Sequence, residues 1–537
     1  MKNYNPLTIK NNFRSWVPVW LQLTVAFIIL IPVLLVNGAY VGSNVDIAGS
    51  LGVLSEDINM AYYISSAGMA ISHIAIPKIK PIATAKTIIL LALFAQVVLS
   101  YICARTSMME IIIICSFWIG CFKGLSMIEV IGMLMPYLAP SGTRNQFYAV
   151  FYPIVLCVGQ LSLVITAELA YQYQWQHMYY FMIVLLLFAM LAVVVCMAYA
   201  RRLIRIPYKE LDWLSLFLVS ICVTSILYVT TYGKVEDWFN SKYIIGATFL
   251  IPITGWLFIR RQLIDTGKPP ALDLSVLKHR NAVTVYITSF VMMFYVSFSL
   301  LVSAYVQNIL HLTSALANEL YLWMIPGIVF GGLLAYYFYV KAVRMAWYIF
   351  LGFLCFTIAI GILYFKVDPM GRYEDLYLPM FLRGAGMLLL FVALAIYGIQ
   401  GLERKEMLSN AFFMISTRSV LAPAVGSSIL TNWLYRSQQS NITNLIQNVD
   451  FQNEVAVSRF NSSLHTALAQ GWSIEDANRI ASNTIYQTVQ SQATLVSVKM
   501  ILGWLLIGGI ALLIFIVLYF FHFNAVRWIS TDSDMTT

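Results

Sequence analysis

Charge is what this sequence has least of. Only 11% of its 537 residues are Asp, Glu, Lys or Arg, against roughly a quarter in an ordinary soluble protein. So few charges cannot solvate a surface of this size, which excludes a water-soluble globular protein. Metal-ligand spacing is missing too. The seven cysteines (Cys103, Cys115, Cys121, Cys157, Cys196, Cys222 and Cys355) lie in or at the ends of apolar runs, where they read as small core residues. The six histidines are scattered, and none pairs with a Cys or carboxylate at ligand spacing. No metal or other cofactor is expected, and without a catalytic constellation the chain does not read as an enzyme. The net charge of +9 does not point to nucleic acid, because the basic residues are dispersed in short loops. A removable leader is not indicated either. The first apolar run, 17–42, is too long for a signal-peptide core and lacks a suitably placed small-residue cleavage site, so it reads as a retained span.

What the sequence does have is hydrocarbon. Hydrophobic residues make up 60% of it and the mean hydropathy is +0.78. Apolar runs of crossing length fall at about 17–43, 59–77, 87–104, 108–138, 146–170, 178–200, 211–233, 241–259, 282–310, 314–340, 346–365, 375–402, 407–434 and 494–523. About twenty apolar residues span a bilayer, so these predict fourteen helices in an all-α polytopic membrane protein. Alternating the loops between sides puts 21 of the 33 basic residues on one face, Arg201, Arg202, Arg205, Lys209, Arg260, Arg261, Lys268, Lys278 and Arg280 among them. The other face receives eight, although it includes a loop at 435–493 of about sixty residues. Positive charge marks the cytoplasmic side, so both termini are expected in the cytoplasm of a cell (inner or plasma) membrane protein. Within the long external loop, "SIEDANRIASNTIYQTVQSQA" has helical character.

A few charges lie where hydrocarbon is the rule. "CFKGLSM" (121–127) is echoed by "FLRGAGM" (381–387), each with a basic residue, Gly, an apolar residue, a small residue and Met. If helices 7 and 8 are an insertion, both copies fall on the fourth helix of a six-helix set. Related halves are a transporter signature, with the substrate site between them near mid-membrane. An ionised side chain at that depth costs a few kcal/mol and normally faces a cavity or partner. Lys123 lies near the middle of helix 4, and Glu129 about 9 Å further along at 1.5 Å per residue, on a different face. Arg383, Arg418 and Lys499 are the other cations within spans, and the amide of Asn37 lies in the first run. These six are the candidate pathway residues. Glu110, Glu168, Glu319 and Asp46 sit toward external ends, and His73 reads as a packed, hydrogen-bonded residue. Glu129 is the one carboxylate placed well inside a span, which makes it the candidate protonation switch. The excess of cations predicts a positive cavity, favouring anionic or neutral amphiphiles over quaternary ammonium dyes.

The chain also resembles a known family, the fourteen-helix drug:proton antiporter branch of the major facilitator superfamily (EmrB/QacA type). The resemblance rests on "IAGSLGVLSEDINMAYYISSAGMAIS" (47–72), "YQWQHMYYF" (173–181), "LDWLSL" (211–216), "YGKVEDWFNS" (232–241), "LDLSVLKHRN" (272–281) and "STRSVLAPAVGSSI" (416–429), with Arg418 at the family's arginine. It implies two six-helix bundles flanking an inserted pair, alternating access, and export of amphiphilic compounds. Where the cell has two membranes, it implies work with a periplasmic membrane-fusion adaptor and an outer-membrane channel. The units would be a cytoplasmic N-terminus (1–16), an N-terminal bundle (17–205), the insert (206–265), a C-terminal bundle (266–523) and a cytoplasmic tail (524–537).

Three departures bear on coupling. "IPKIKPIATAK" (76–86) keeps the charge of the family's loop motif without its aspartate and glycines. "SLVITA" (162–167) replaces Gly-Pro-x-x-Gly-Gly. Gly120 stands at the helix 4 arginine, with Lys123 at the usual glutamine. Export of small amphiphiles, proton-coupled, is the first expectation, and a transporter-fold sensor or scaffold that has lost coupling is the alternative. Reporter fusions after Arg205 and after Arg280 should read cytoplasmic and one within 440–480 external; an external signal around 201–209 would overturn the fourteen-helix map.

Overall fold

The computed structural model describes residues 12–79, 83–140, 142–199, 212–264, 270–403, 406–447, 449 and 453–521. The basic loop 201–209, Lys268, the tail 524–537 and part of the 76–86 stretch lie outside them. Fourteen helices of 17 residues or more run through the described residues: α1 (Val19–Leu35), α2 (Ser55–Ile79), α3 (Ala85–Arg105), α4 (Met109–Leu138), α5 (Arg144–Gln172), α6 (Gln176–Cys196), α7 (Trp213–Tyr232), α8 (Lys242–Leu263), α9 (Arg280–Asn308), α10 (Ser314–Val340), α11 (Met345–Lys366), α12 (Tyr373–Tyr397), α13 (Met407–Ile446) and α14 (Ile474–Tyr519), with shorter helices at Asn44–Leu51 and Glu454–Ala469 between them. Twelve of these are long and apolar enough to cross a membrane. Of the other two, α1 is apolar but has only 17 residues. α2 is long, and its Ser65, Ser66, Ser72 and His73 dilute its hydropathy.

The helices pack into two related bundles. One core is built from α1 to α6, with Ile29, Ile58, Leu93, Ile119, Phe151 and Met178 inside it. Another draws on α9 to α14, with Phe298, Ile328, Phe353, Leu390, Ala422 and Leu502, and it reaches Tyr152 and Leu156 of α5. A smaller core joins α2, α7 and α13 through Ile64, Leu227 and Val420. α12 is apolar all round and correspondingly central, with every residue from Arg383 to Tyr397 buried, as expected of a helix without a polar face.

The sequence repeat has a packing meaning. A Cβ on Gly124 of α4 would fall 2.0 Å from the Ser72 hydroxyl of α2, and one on Gly384 of α12 would fall 2.3 Å from the Met324 carbonyl of α10. The fourth helix of each half thus presses its glycine on the second helix of the same half. The departure at Gly120 has the same cause, since a Cβ there would fall 1.8 Å from the Ser65 carbonyl. No arginine can occupy that site.

The inserted pair α7–α8 is tied to both halves. Asp212 caps α7 and accepts Nε (2.9 Å) and Nη2 (2.9 Å) of Arg261 at the foot of α8. Tyr232 of α7 donates to Asp57 of α2 at 2.6 Å, while Lys234 lies 4.8 Å from the ring centroid of Tyr435 on α13. The "LDLSVLKHRN" stretch joins the start of α9 to the start of α13. The Asp273 N–H donates to Ser409 Oγ at 2.8 Å, Ser275 donates to Glu406, and His279 Nε2 lies 3.1 Å from the same carboxylate. The hydrogen bonds from Ser275, the Glu403 N–H and His279 hold the Glu406 carboxyl below the usual range, against the opposing effect of burial.

Two expectations need correction. The first span does not continue to residue 43: α1 stops at Leu35, and Asn37 lies in extended chain beyond it. The span expected at 407–434 runs on to Ile446, and residues 435–493 are mostly helix rather than loop. They comprise the end of α13, a separate helix Glu454–Ala469 capped by Asn453, and the first turns of α14 capped by Ser473. The polar composition of this stretch sets where hydrocarbon ends, and helices can continue past that point. Substituting Gly384→Ala should cost about 1–3 kcal/mol of stability by overpacking, whereas Gly246→Ala on α8, with open space around it, should not destabilise. Thermal midpoints of the two variants in detergent check this.

Candidate functional site

α1 is the shortest of the fourteen helices. Its 17 residues rise only about 26 Å, short of the ~30 Å hydrocarbon core, so the chain beyond Leu35 is irregular backbone at membrane depth. Such backbone is tolerated only when buried in protein, and four helices supply its partners. Lys123 Nζ of α4 donates to the carbonyls of Leu34 (2.9 Å) and Val36 (3.0 Å) and to Asn37 Oδ1 (3.0 Å). Ser162 of α5, the first residue of the stretch replacing the Gly-Pro motif, donates to the Leu35 carbonyl at 3.4 Å. Tyr179 of α6 donates to the Gly38 carbonyl at 2.8 Å, and Asn318 of α10, in the other half, donates to the Gly42 carbonyl at 2.7 Å.

Arg383 stands in the equivalent place in the second half. α9 is interrupted between its segments Arg280–Val296 and Ser299–Asn308. Arg383 donates to the Val296 carbonyl through Nη2 (2.9 Å) and Nε (3.2 Å), to Ser299 Oγ through Nη2 (3.1 Å), and to Met324 Sδ through Nη1 (2.8 Å). The rings of Phe298 and Tyr321 lie 5.7 and 5.5 Å from its guanidinium carbon.

Arg418 is different in kind. It sits on a π-helical turn of α13, Ser416–Leu421, a local widening often found at functional positions. Its side chain is 7% exposed, between Phe391 of α12 (4.3 Å) and Tyr152 of α5 (5.2 Å). Nη2 reaches the Tyr152 hydroxyl at 3.5 Å, while Nε and Nη1 have no hydrogen-bond partner among the described residues. Two aromatic faces offset part of the desolvation of a buried cation. They do not use its N–H donors, so Arg418 can bind an anionic or carbonyl oxygen.

The bundles close around this point. Tyr63 of α2 and Ser427 of α13 share a hydrogen bond of 2.8 Å. Thr143, at the head of α5, meets Tyr339 of α10 at 3.0 Å, and Asn318 bonds to Gly42. Asn318 and Tyr339 are about 31 Å apart along α10 at 1.5 Å per residue, so α10 is pinned to the first half near both its ends.

The remaining candidates are placed apart from these. Glu129 is buried on α4 and engages a partner of its own. Lys499 of α14 donates to the Val367 carbonyl beyond α11 at 3.3 Å and lines a shallow groove of about 370 Å³ with Tyr364 and Trp504. His73 is buried, with Nδ1 2.7 Å from the Met69 carbonyl, as its packed reading implies. A cavity of about 790 Å³ runs between α2, α4 and α7, walled by residues such as Ile71, Phe117, Leu125 and Phe217. Among the described residues no group of three or more His, Cys, Asp or Glu could hold a metal. Sequence reasoning missed Tyr152, Phe391, Ser162, Tyr179 and Asn318. Aromatic and small polar residues are too common in membrane helices for any of these to stand out, and their signal exists only once the helices are packed.

No protein-family model matches the chain. The multidrug export protein EmrB of Haemophilus influenzae is 22% identical over 257 residues, 47% of this chain and 49% of that protein. The colistin resistance protein EmrB of Acinetobacter baumannii is 22% identical over 290 residues, 53% and 54% of the two chains. The chain thus spans about half the length of the curated relatives it matches. Among solved structures, the peptide transporter POT superposes with a TM-score of 0.54 at 13% identity, over 94% of this chain and 98% of its own. The nucleoside transporter NupG gives 0.51 at 9% identity, over 91% and 99%. These likenesses establish the major facilitator fold, and the EmrB similarity agrees with the resemblance carried by the motifs. A buried guanidinium with idle donors is a stability cost, so Arg418→Met should raise stability by about 1–4 kcal/mol. A higher thermal midpoint than wild type checks this, and a lower one would mean that the donors are satisfied in the resting protein.

Proposed function

We propose that this chain is a secondary active transporter that exports small amphiphilic molecules by alternating access, with Arg418 reading their charge. The observation that carries the proposal is the guanidinium held between α5 of one half and α12 and α13 of the other, with two donor nitrogens unfilled. A solute oxygen placed there would touch both halves, and binding between two rocking bundles is how a substrate biases their equilibrium. A fixed positive charge in a low-dielectric site favours anionic or neutral amphiphiles over cations. Export is favoured over uptake by the similarity to the EmrB proteins. In this reading the termini are cytoplasmic in an inner or plasma membrane, and an adaptor with an outer-membrane channel continues the route where a second membrane exists.

Glu129 is the proposed coupling carboxylate. A carboxylate inside the bilayer exchanges protons only if its surroundings change between states, and Glu129 lies buried on α4, six residues beyond Lys123. The competing reading, a sensor or scaffold of the same fold, draws on the altered stretches 76–86 and 162–167 and predicts no flux. Gradient-driven transport in proteoliposomes separates them. Arg418→Ala should reduce export of an organic anion by on the order of tenfold or more, the worth of a charge-assisted hydrogen bond, and leave a neutral amphiphile nearly unaffected. Glu129→Gln should remove the dependence on the proton gradient for both. Absence of flux in the intact protein would favour the scaffold, and equal loss of both substrates in Arg418→Ala would remove its role in selectivity.

A further inference from the structure

The two repeat cations, Lys123 and Arg383, do the same thing in the two halves. Each lies on the fourth helix of its half and reaches the point where the first helix stops or breaks. Each takes the last carbonyls before the break together with a polar side chain just after it. For Lys123 these are Leu34 O, Val36 O and Asn37 Oδ1; for Arg383 they are Val296 O and Ser299 Oγ. A helix C-terminus concentrates partial negative charge on carbonyls that no intrahelical N–H can reach. A cation from a neighbouring helix is the one group that satisfies several of them at once without an anion of its own.

We infer that Lys123 and Arg383 are a symmetry-related pair of latches, positioning residues that hold the broken ends of α1 and α9 and thereby set the conformational exchange of the transporter, rather than groups that contact the solute. Three features favour this. First, the donors are occupied: Lys123 makes three hydrogen bonds and all three guanidinium nitrogens of Arg383 are engaged, in contrast to the idle Nε and Nη1 of Arg418. Second, each latch sits where regular α-helical bonding lapses, and it joins the neighbouring side chains and turn hydrogen bonds that hold the chain there. Beyond Leu35, α1 has no helical bonding until the short helical turns that begin at Val41, and α9 resumes only at Ser299. Third, the α1 segment also carries a contact to the opposite half, Asn318 to Gly42, so releasing it changes how the halves meet. Movement of one half against the other bends these first helices at their breaks, and the latch must be remade or exchanged at each turn of the cycle. The two residue types suit their ends: the compact ammonium converges on three oxygens, and the planar guanidinium straddles a carbonyl and a hydroxyl.

The inference rests on the transporter reading, but its test does not need a substrate. Hydrogen exchange measured by mass spectrometry on the full-length protein in detergent or nanodiscs reads the segments 33–43 and 294–303 directly. In Lys123→Met, exchange in 33–43 should accelerate by on the order of tenfold, the worth of losing hydrogen bonds to a charged donor, with 294–303 unchanged. In Arg383→Met the pattern should reverse. Lys123→Arg should restore protection of 33–43, because cationic donors remain, which keeps the test available if the methionine variant folds poorly. Turnover of an organic anion should fall in Lys123→Met while its equilibrium binding stays within about twofold, the pattern of a conformational rather than a contact role. Unchanged exchange in 33–43 with lost anion binding would make Lys123 a substrate ligand and overturn the latch. Acceleration spread over the whole chain would do so as well, since it would mean that Lys123 only supports folding. Arg418→Ala, measured alongside, reports separately on the charge-reading proposal.

Discussion

A peptide group inside the bilayer has no water to turn to, and this constraint shapes the molecule. An unbroken α-helix meets it unaided. Wherever a helix stops early, the exposed carbonyls must find donors on neighbouring helices, and those donors have to come from side chains. α1 ends at Leu35, and the carbonyls from Leu34 to Gly42 draw on Lys123, Ser162, Tyr179 and Asn318. Charged and polar residues that look misplaced in an apolar sequence become intelligible as the complement of broken backbone.

The same logic separates the buried cations by what they face. Lys123 and Arg383 face carbonyl oxygens and are filled by them. Arg418 faces two rings and one distant hydroxyl, and keeps two nitrogens in reserve. A guanidinium in that position costs stability, whereas cations filled by carbonyl oxygens meet a structural need of the broken backbone. Sign alone does not distinguish these roles; the identity of the acceptor does. This also bears on the excess of cations over deep carboxylates. Part of that excess is taken up by backbone carbonyls at helix ends, so the count of basic residues overstates the positive charge left without an acceptor.

The motifs of the insert have an equally physical reading. "LDWLSL" supplies the Asp212 cap that Arg261 grips, and "YGKVEDWFNS" supplies Glu236, which accepts from Tyr228 and Ser241. "LDLSVLKHRN" ties the start of α9 to that of α13. The first two brace the inserted pair internally, while Tyr232 and Lys234 of the second fasten it to Asp57 of α2 and Tyr435 of α13.

Sequence alone determined the membrane class, the number and order of the helices, and the two-fold repeat, because hydropathy over twenty residues and a basic residue before Gly are local signals that packing does not alter. It also marked Lys123, Glu129, Arg383, Arg418 and Lys499, since an ionisable residue in hydrocarbon is conspicuous wherever it points. What it could not determine was the difference among them. That Asn37 shares Lys123 with two carbonyls required knowing that α1 stops at Leu35; the turn signal Asn37-Gly38 is hidden inside a run that hydropathy reads as continuous. That 435–493 is mostly helix required separating hydropathy from helicity, because that stretch loses the first and keeps the second. That Arg418 stands between Tyr152 and Phe391, from helices 266 and 27 residues away in the chain, required the two halves to be closed on one another. Only tertiary structure brings those groups together, because a partner's distance in space leaves no trace in its distance along the chain.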